Sequence, residues 1–276
     1  MFTITIIMST YNCAATLPKA MDSLLEQTYP HWELVACDDG STDGSYAILQ
    51  DYATRYPDKI RLLRNEENRG LPYSLNSCLA EAKTEYIARM DGDDLSLPER
   101  LAKQIAYLQA HPEVDLVCTA AIVSNGREEL ARYVQPAQVK VEDFRHCTCF
   151  IHATVLCKRQ VLEALGGYSL EPHVLRCEDL DLWSRFLAAG YCGHNLQEPL
   201  YVILEDDAAI KRRTWKNRRN VAKTLRIAFR RLHLRGFSCL WRSYGQLLTY
   251  FVPAPLYRIL HVRRISAGSR NNAENR

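Results

Sequence analysis

The sequence predicts an α/β fold, a parallel sheet covered by helices, with a basic helical extension at its C-terminal end. Three observations carry this expectation. Short runs rich in β-branched residues alternate with amphipathic runs of helical length over the first hundred residues, which is the signal of a parallel sheet layered with helices. Polar clusters follow the strand ends, at Ser9-Thr10-Tyr11-Asn12, at residues 38–43 and at Asp91-Gly92-Asp93-Asp94. Ligands of such sheets bind beyond the carboxyl ends of the strands, so the clusters are expected to converge on one crevice. Finally, residues 211–276 carry 17 Lys and Arg and a single acid, Glu274, whereas residues 1–210 carry 18 basic and 31 acidic side chains. An acidic body with a basic tail is suited to meeting something anionic, phospholipid or nucleic acid.

The elements follow in order. Residues 3–8 (TITIIM) have the near-continuous apolar and β-branched pattern of a strand buried on both faces. Leu17, Ala20, Met21, Leu24 and Leu25 share one face of a helix over residues 17–27. A second strand is expected at 32–37, a helix at 45–56 and a third strand at 60–63. Between them, Asp38-Asp39-Gly40-Ser41-Thr42-Asp43 reads as a turn and helix cap, with Asp43 the capping acid. Asp38 and Asp39 stand at the strand end, where a carboxylate can accept hydrogen bonds from a base or ribose. Gly40 would let a flat base approach the backbone.

Residues 86–90 (YIARM) are a further strand and run into Asp91-Gly92-Asp93-Asp94. Three carboxylates in four residues repel one another unless something positive binds them. Mg²⁺ or Mn²⁺, shared between carboxylates and substrate phosphates, would supply that charge. Capping of the helix that follows Leu97-Pro98-Glu99 accounts for Asp94 alone. Leu101, Ile105 and Leu108 mark that helix, residues 115–123 a strand, and residues 124–140 a polar loop or hairpin.

His152 precedes a strand-like run at 153–156, and Gly166-Gly167-Tyr168 makes a loop through which a backbone can approach a ligand. A lone histidine is more often a structural residue than a ligand. Leu180, Trp183 and Leu187 recur at helical spacing behind Glu178 and Asp179. Those acids could cap the helix, and Trp183 at this spacing fits the core.

With 276 residues, 47% hydrophobic and 24% charged, the chain is long enough for one large globular domain with an appendage. No signal peptide is expected, because Met1 leads directly into a strand pattern, and no run of about 18 uncharged apolar residues suggests a spanning helix. The ten cysteines are scattered without a C-x-x-C pair, so buried free thiols in a reducing cytoplasm are expected rather than zinc or disulfides. In the tail, basic residues at 211–219 precede an amphipathic run at 221–234. Aromatic and apolar residues at 244–260 follow, and from Ser266 onward the chain is polar and expected to be disordered. This mixture suits an interfacial anchor at an anionic membrane. A solvated basic helix pair packed on the acidic body is the plainer alternative.

The succession TIIMSTYN, DDGSTDGS, Asn68-Arg69-Gly70, DGDD and Glu178-Asp179-Leu180-Asp181-Leu182-Trp183 resembles the family 2 glycosyltransferases. Arg89-Met90 before Asp91, and Pro98-Glu99-Arg100-Leu101 and Gln104 after it, are similar to the branch that builds bacterial surface polysaccharides such as O-antigen, capsule and exopolysaccharide. The resemblance covers roughly residues 3–201. It implies a GT-A fold, with a Rossmann-like nucleotide-sugar half (1–100), an acceptor half (101–210), a basic extension (211–265) and a tail (266–276). It implies further that Thr10 and Tyr11 line base and ribose, that Asp39 reads the uracil edge, and that Asn68 and Arg69 lie near the nucleotide. Asp91 would face ribose or metal, and Asp93 would hold the Mn²⁺ or Mg²⁺ on the diphosphate of a UDP-sugar. Asp179 would be the base of an inverting transfer, with Glu178, His152 and Trp183 on the acceptor side. Leu75-Asn76 stands where many members have Arg-Asn, so a phosphate contact from that arginine must come from elsewhere. The Q-x-x-R-W motif of processive members is not found, which suggests transfer of a single sugar.

The expected activity is therefore metal-dependent transfer from a UDP-sugar to a lipid-linked saccharide at the cytoplasmic membrane face. Lys211, Arg212 and Arg213 could also contact the diphosphate. A nucleotidyltransferase would use similar carboxylates but lacks here a Gly-rich, Lys/Arg-bearing phosphate loop after the first strand. A nucleic-acid-binding protein would use the basic tail and leave the acidic body unexplained.

Overall fold

The computed structural model describes residues 2–204, 214–253 and 256–257. Four parallel strands form its first half: β1 (Ile4–Thr10), β2 (Trp32–Asp38), β3 (Ile60–Arg64) and β4 (Tyr86–Asp91). Their order is β3-β2-β1-β4. The register sets Thr10 beside Asp38 and Ser9 beside Asp91, so the polar clusters do share one edge of the sheet.

Alternation along β1 divides the core in two. Ile4, Ile6 and Met8 pack with α1 (Leu17–Leu25), α2 (Ser45–Arg55) and α4 (Arg100–Ala110). Ile7, with Val35 and Cys37, packs with α3 (Leu71–Glu81) and with α6 (Glu178–Ala188). Helix α3 is not among the elements expected from the sequence. It starts where Pro72 falls in the first turn, a position that needs no backbone N–H.

The second half departs from the expected parallel sheet. It consists of β5 (Leu95–Ser96), β6 (Leu116–Ser124), β7 (Glu129–Tyr133), β8 (Leu156–Lys158) and β9 (Gly193–Leu204). Strand β8 is antiparallel to both β4 and β6, β9 is parallel to β6, and β5 closes the far edge antiparallel to β9. Residues 124–140 include the hairpin strand β7, which pairs with β6. The strand-like run at 153–156 is mostly a 3-10 turn, His152–Thr154. The Thr154 hydroxyl turns back to the Ile151 carbonyl and draws the chain out of extended geometry. A short helix, α5 (Arg159–Ala164), follows β8. The sheet curls until β5 meets α1, where the Gln27 amide donates to the Ser96 and Leu97 carbonyls.

Behind α6 lie α7 (Trp215–Arg231) and α8 (Phe237–Leu248). Helix α7 begins earlier than the run at 221–234 suggests, because the Thr214 side chain caps it by accepting from the Asn217 N–H. Leu225, Ala228 and Phe229 join the core, and Arg231 bonds Asp181 of α6 at 3.0 Å. No helix among the described residues is long and apolar enough to cross a membrane. All ten cysteines are free thiols, eight of them in the same core as α6 and α7 or lining it. Lys211–Arg213 and the tail at 266–276 lie outside the described residues.

Candidate active site

Strand β4 carries the chain to the sheet edge, and there Asp91, Asp93 and Asp94 hold carboxylate oxygens that all lie within 4.8 Å of one another. Gly92 makes this possible. A Cβ at Gly92 would stand 2.9 Å from the Thr10 methyl and 3.1 Å from the Cys13 sulfur, so the turn can only press against β1 without a side chain. Asp91 pairs with the Arg89 guanidinium, and its N–H donates to the Tyr201 hydroxyl. Asp93 is exposed.

Asp94 is buried and accepts from the Leu204 N–H at 2.9 Å. It ties the cluster to β9 and does not cap α4, which corrects the expected capping role. Burial first, then the neighbouring Asp91 and Asp93, pushes its carboxyl well above the ordinary range. Three crowded carboxylates are a hard-oxygen donor set, and they fit a divalent cation.

The base and ribose candidates surround the ends of β1 and β2. The Thr10 hydroxyl is buried without a partner, and Tyr11 is exposed. Asp39 is 1% exposed, and its carboxylate accepts from the Asn65 side chain and from the Arg69 and Gly70 N–H groups at 2.7 to 2.9 Å. As it stands, Asp39 chiefly organises the 65–70 loop, because most of its acceptor capacity is used. Gly40 closes against the same loop with φ of 70°, and a Cβ there would overlap the Glu67 backbone at 2.6 Å. Asn68 is exposed, and the Arg69 side chain lies over the Tyr73 ring at 3.9 Å. Asp38 accepts from the Ser41 N–H while its other oxygen is buried without a partner. Asp43 accepts from the Ser45 and Ala14 N–H groups, but the N-cap of α2 is Gly44, so Asp43 braces the turn ahead of the helix and is not its cap.

On the other side of the crevice, Glu178 and Asp179 open α6 and are both partly buried. Burial, then the charge of Asp179, raises Glu178 to about 7. Asp179 is also raised, mainly by burial, and its carboxylate accepts from the Leu180 N–H at 2.8 Å. Arg89 acts in the opposite direction on both acids. On the sequence Arg89 stood out only as part of the family resemblance, with no role of its own. It is 4% exposed, sits within β4, and its field reaches Asp91 and the α6 acids together. The available signal was an arginine inside an otherwise buried strand, two residues from a carboxylate cluster. Arg100 is fully buried as well and donates to the Arg89 carbonyl, which fixes the strand from behind.

His152 bonds the Tyr168 hydroxyl at 2.9 Å, and burial with Arg89 nearby holds it well below its ordinary value, hence neutral. The Gly166-Gly167-Tyr168 loop is clamped by Asn76, which accepts from the Tyr168 N–H and donates to its carbonyl, both at 2.8 Å. Thus Asn76 of the Leu75-Asn76 pair is structural. Trp183, expected on the acceptor side, is 1% exposed and packs against Phe150 and His152. It backs the site from the core and does not line it, since α6 turns that face toward the sheet.

A half-parallel sheet gathering a carboxylate cluster at its strand ends, joined to a mixed half that adds an acid pair, is the GT-A architecture of glycosyltransferases. The chain belongs to glycosyltransferase family 2, whose family model (Glycosyl transferase family 2) matches residues 5–166. It is 38% identical over 262 residues to the putative glycosyltransferase EpsE of Bacillus subtilis, covering 95% of this chain and 94% of that one. It is 28% identical over 138 residues, half of this chain and 53% of the relative, to Escherichia coli WfgD. That protein is named as a UDP-Glc:alpha-D-GlcNAc-diphosphoundecaprenol beta-1,3-glucosyltransferase. The mannosyltransferase PcManGT of Pyrobaculum calidifontis, solved with GDP-Man and Mn²⁺, superposes with a TM-score of 0.67 at 20% identity over 99% of this chain and 85% of that one.

Proposed function

We propose that this glycosyltransferase moves one sugar from a UDP-sugar, with inversion, to a saccharide carried on a lipid diphosphate during surface-polysaccharide synthesis. The observation that carries the reading is Arg89, which pairs with Asp91 and whose charge also acts on Glu178 and Asp179 of α6. It makes the two acidic groups parts of one crevice with different tasks. A divalent cation held by Asp93 and Asp91 would neutralise the charge that develops on the departing diphosphate. Thr10, Tyr11, Asp39, Asn68 and Arg69 bind the nucleotide, the 65–70 loop being held in place by Asp39.

Asp179 takes the proton from the acceptor hydroxyl as that oxygen bonds the anomeric carbon. The bond to the diphosphate oxygen breaks on the opposite face, so configuration inverts and UDP leaves. Glu178 and His152 position the acceptor. His152 is neutral and held by Tyr168, so it serves as a hydrogen-bonding group and not as a second base. The WfgD relative supports both the UDP donor and the lipid-diphosphate acceptor. Anchoring at the inner membrane face is assigned to α7 and α8, where exposed aromatic residues meet basic ones.

The test is release of UDP from a panel of UDP-sugars with Mn²⁺ or Mg²⁺, with and without chelator, supplied with a lipid-linked acceptor extract. Chelator-sensitive release that is lost in Asp93→Ala supports the reading and names the donor sugar. Release undiminished by chelator or by the substitution sinks the metal assignment. Pyrophosphate in place of UDP would mean nucleotidyl transfer.

A further inference from the structure

Helix α7 has two faces. Ala222, Leu225, Ala228 and Phe229 pack into the core. Lys216, Arg219, Lys223 and Arg226 follow one another at steps of three and four residues, so they form a single stripe, and all four are exposed. None of the four has a carboxylate partner among the described residues. The stripe forms one wall of a cleft of about 780 Å³, whose other lining includes Trp215, Tyr244 and one acid, Glu171. The first turn of α7 adds the positive end of its dipole.

Two features tie this cleft to its surroundings. Thr224 donates to the His173 carbonyl at 2.9 Å, and Asn220 reaches the Pro172 and Leu175 carbonyls. Residues 172–175 run straight into Glu178 and Asp179 at the start of α6, so α7 holds the loop that leads to the acid pair. On the outer side, Tyr244 belongs both to the cleft and to an exposed apolar stripe of α8. Phe237 (79% exposed), Trp241 (61%), Tyr244, Leu248 and, beyond the helix, Phe251 (72%) succeed one another at helical spacing. Such a stripe beside unpaired cations matches a bilayer surface, with apolar groups below and phosphates at the level of the cations.

We propose that the cleft between α7, α8 and residues 171–173 binds the diphosphate of the acceptor's lipid carrier, with the apolar stripe of α8 entering the bilayer beside it. The inference rests on the lipid-linked acceptor proposed above and assigns it a second contact, separate from the crevice that binds the sugars. Four cations against one carboxylate give the charge a diphosphate needs, and the aromatic rim suits the first isoprenoid-like carbons of the carrier.

Farnesyl diphosphate serves as a short probe of such a carrier, titrated by calorimetry into the full chain with UDP and Mn²⁺ present in excess to occupy the donor site. Farnesol and inorganic pyrophosphate are the controls, and Arg219→Glu with Lys223→Glu is the variant. Farnesyl diphosphate should bind more tightly than either control and lose affinity with added salt. In the variant its affinity should fall at least about tenfold, while UDP affinity and the circular dichroism spectrum stay unchanged. Equal affinity for variant and wild type overturns the proposal. Pyrophosphate binding as tightly as farnesyl diphosphate would assign the cleft to free phosphates and overturn it too, as would displacement of the probe by a short RNA at equal concentration. Because no turnover is measured, failure of the transferase reading and failure of the cleft remain distinguishable.

Discussion

The carboxylates of β4 and those of α6 are the same chemical group in two settings. Asp91, Asp93 and Asp94 crowd together at a sheet edge where Asp93 faces solvent, and their mutual repulsion calls for a cation. Glu178 and Asp179 are partly buried at a helix start, and burial lifts their protonation range toward neutrality. Environment thus suits one set to holding metal and the other to moving a proton. Arg89 pairs with Asp91 and lowers the proton affinity of Asp94, Glu178 and Asp179 alike.

The sharpest way to break this distinction is to remove one carboxylate from each set. Asp179→Asn and Asp93→Asn should each lower sugar transfer by about a thousandfold or more. Only Asp93→Asn should respond to the identity and concentration of the divalent ion, read from initial rates across a Mn²⁺ and Mg²⁺ series. A metal-responsive Asp179→Asn would merge the two sites.

Arg89→Met should be the most destabilising of the site substitutions, by about 3 kcal/mol, because Asp91 loses its buried partner. Urea unfolding measures this. A variant as stable as wild type would mean that Arg89 does not bridge the two sets.

The pH response separates them more finely. Glu178 stands near 7 in the folded protein against 4.5 ordinarily, so between those values the folded protein keeps a proton that the unfolded chain has released. Stability therefore falls as pH rises through this window, by at most about 3 kcal/mol. Glu178→Gln should abolish that decline, leaving the variant the more stable one above pH 7, and should remove an inflection near 7 in the transfer rate. An inflection that persists in the variant belongs to another group.

The smallest expected effect lies farthest from the crevice. Phe237→Ser with Trp241→Ser should reduce flotation with phosphatidylglycerol vesicles several-fold while UDP release from the UDP-sugar in the presence of a soluble acceptor stays unchanged. Flotation equal to wild type would remove α8 from membrane binding.

Much of the site was legible because its parts are local. DDGSTDGS and DGDD are turns whose small and acidic residues declare themselves, and Gly40 and Gly92 each avoid a backbone or side-chain clash that a Cβ would create. The missed parts are those with no local pattern. Helix α3 has a weak apolar period behind Gly70. The antiparallel placement of β8 depends on β4 and β6 together. Trp183 read more readily as core than as a sugar platform, although the family resemblance set it on the acceptor side, and the position of α6 against Phe150 buries it.

The sequence by itself determined that the strands alternate with helices and that their polar ends share one edge, because right-handed crossovers between parallel strands leave no other choice. The basic character of residues 211–234 was legible too, but its gathering into one stripe needed the helix start at Trp215. Only the tertiary structure decided what each carboxylate experiences. The proton affinities of Asp94, Glu178 and Asp179 arise from burial, from neighbouring carboxylates and from Arg89 and Leu204, residues distant in the chain. Proton affinity follows the local dielectric and the neighbouring charges in space, and neither is written in the order of residues.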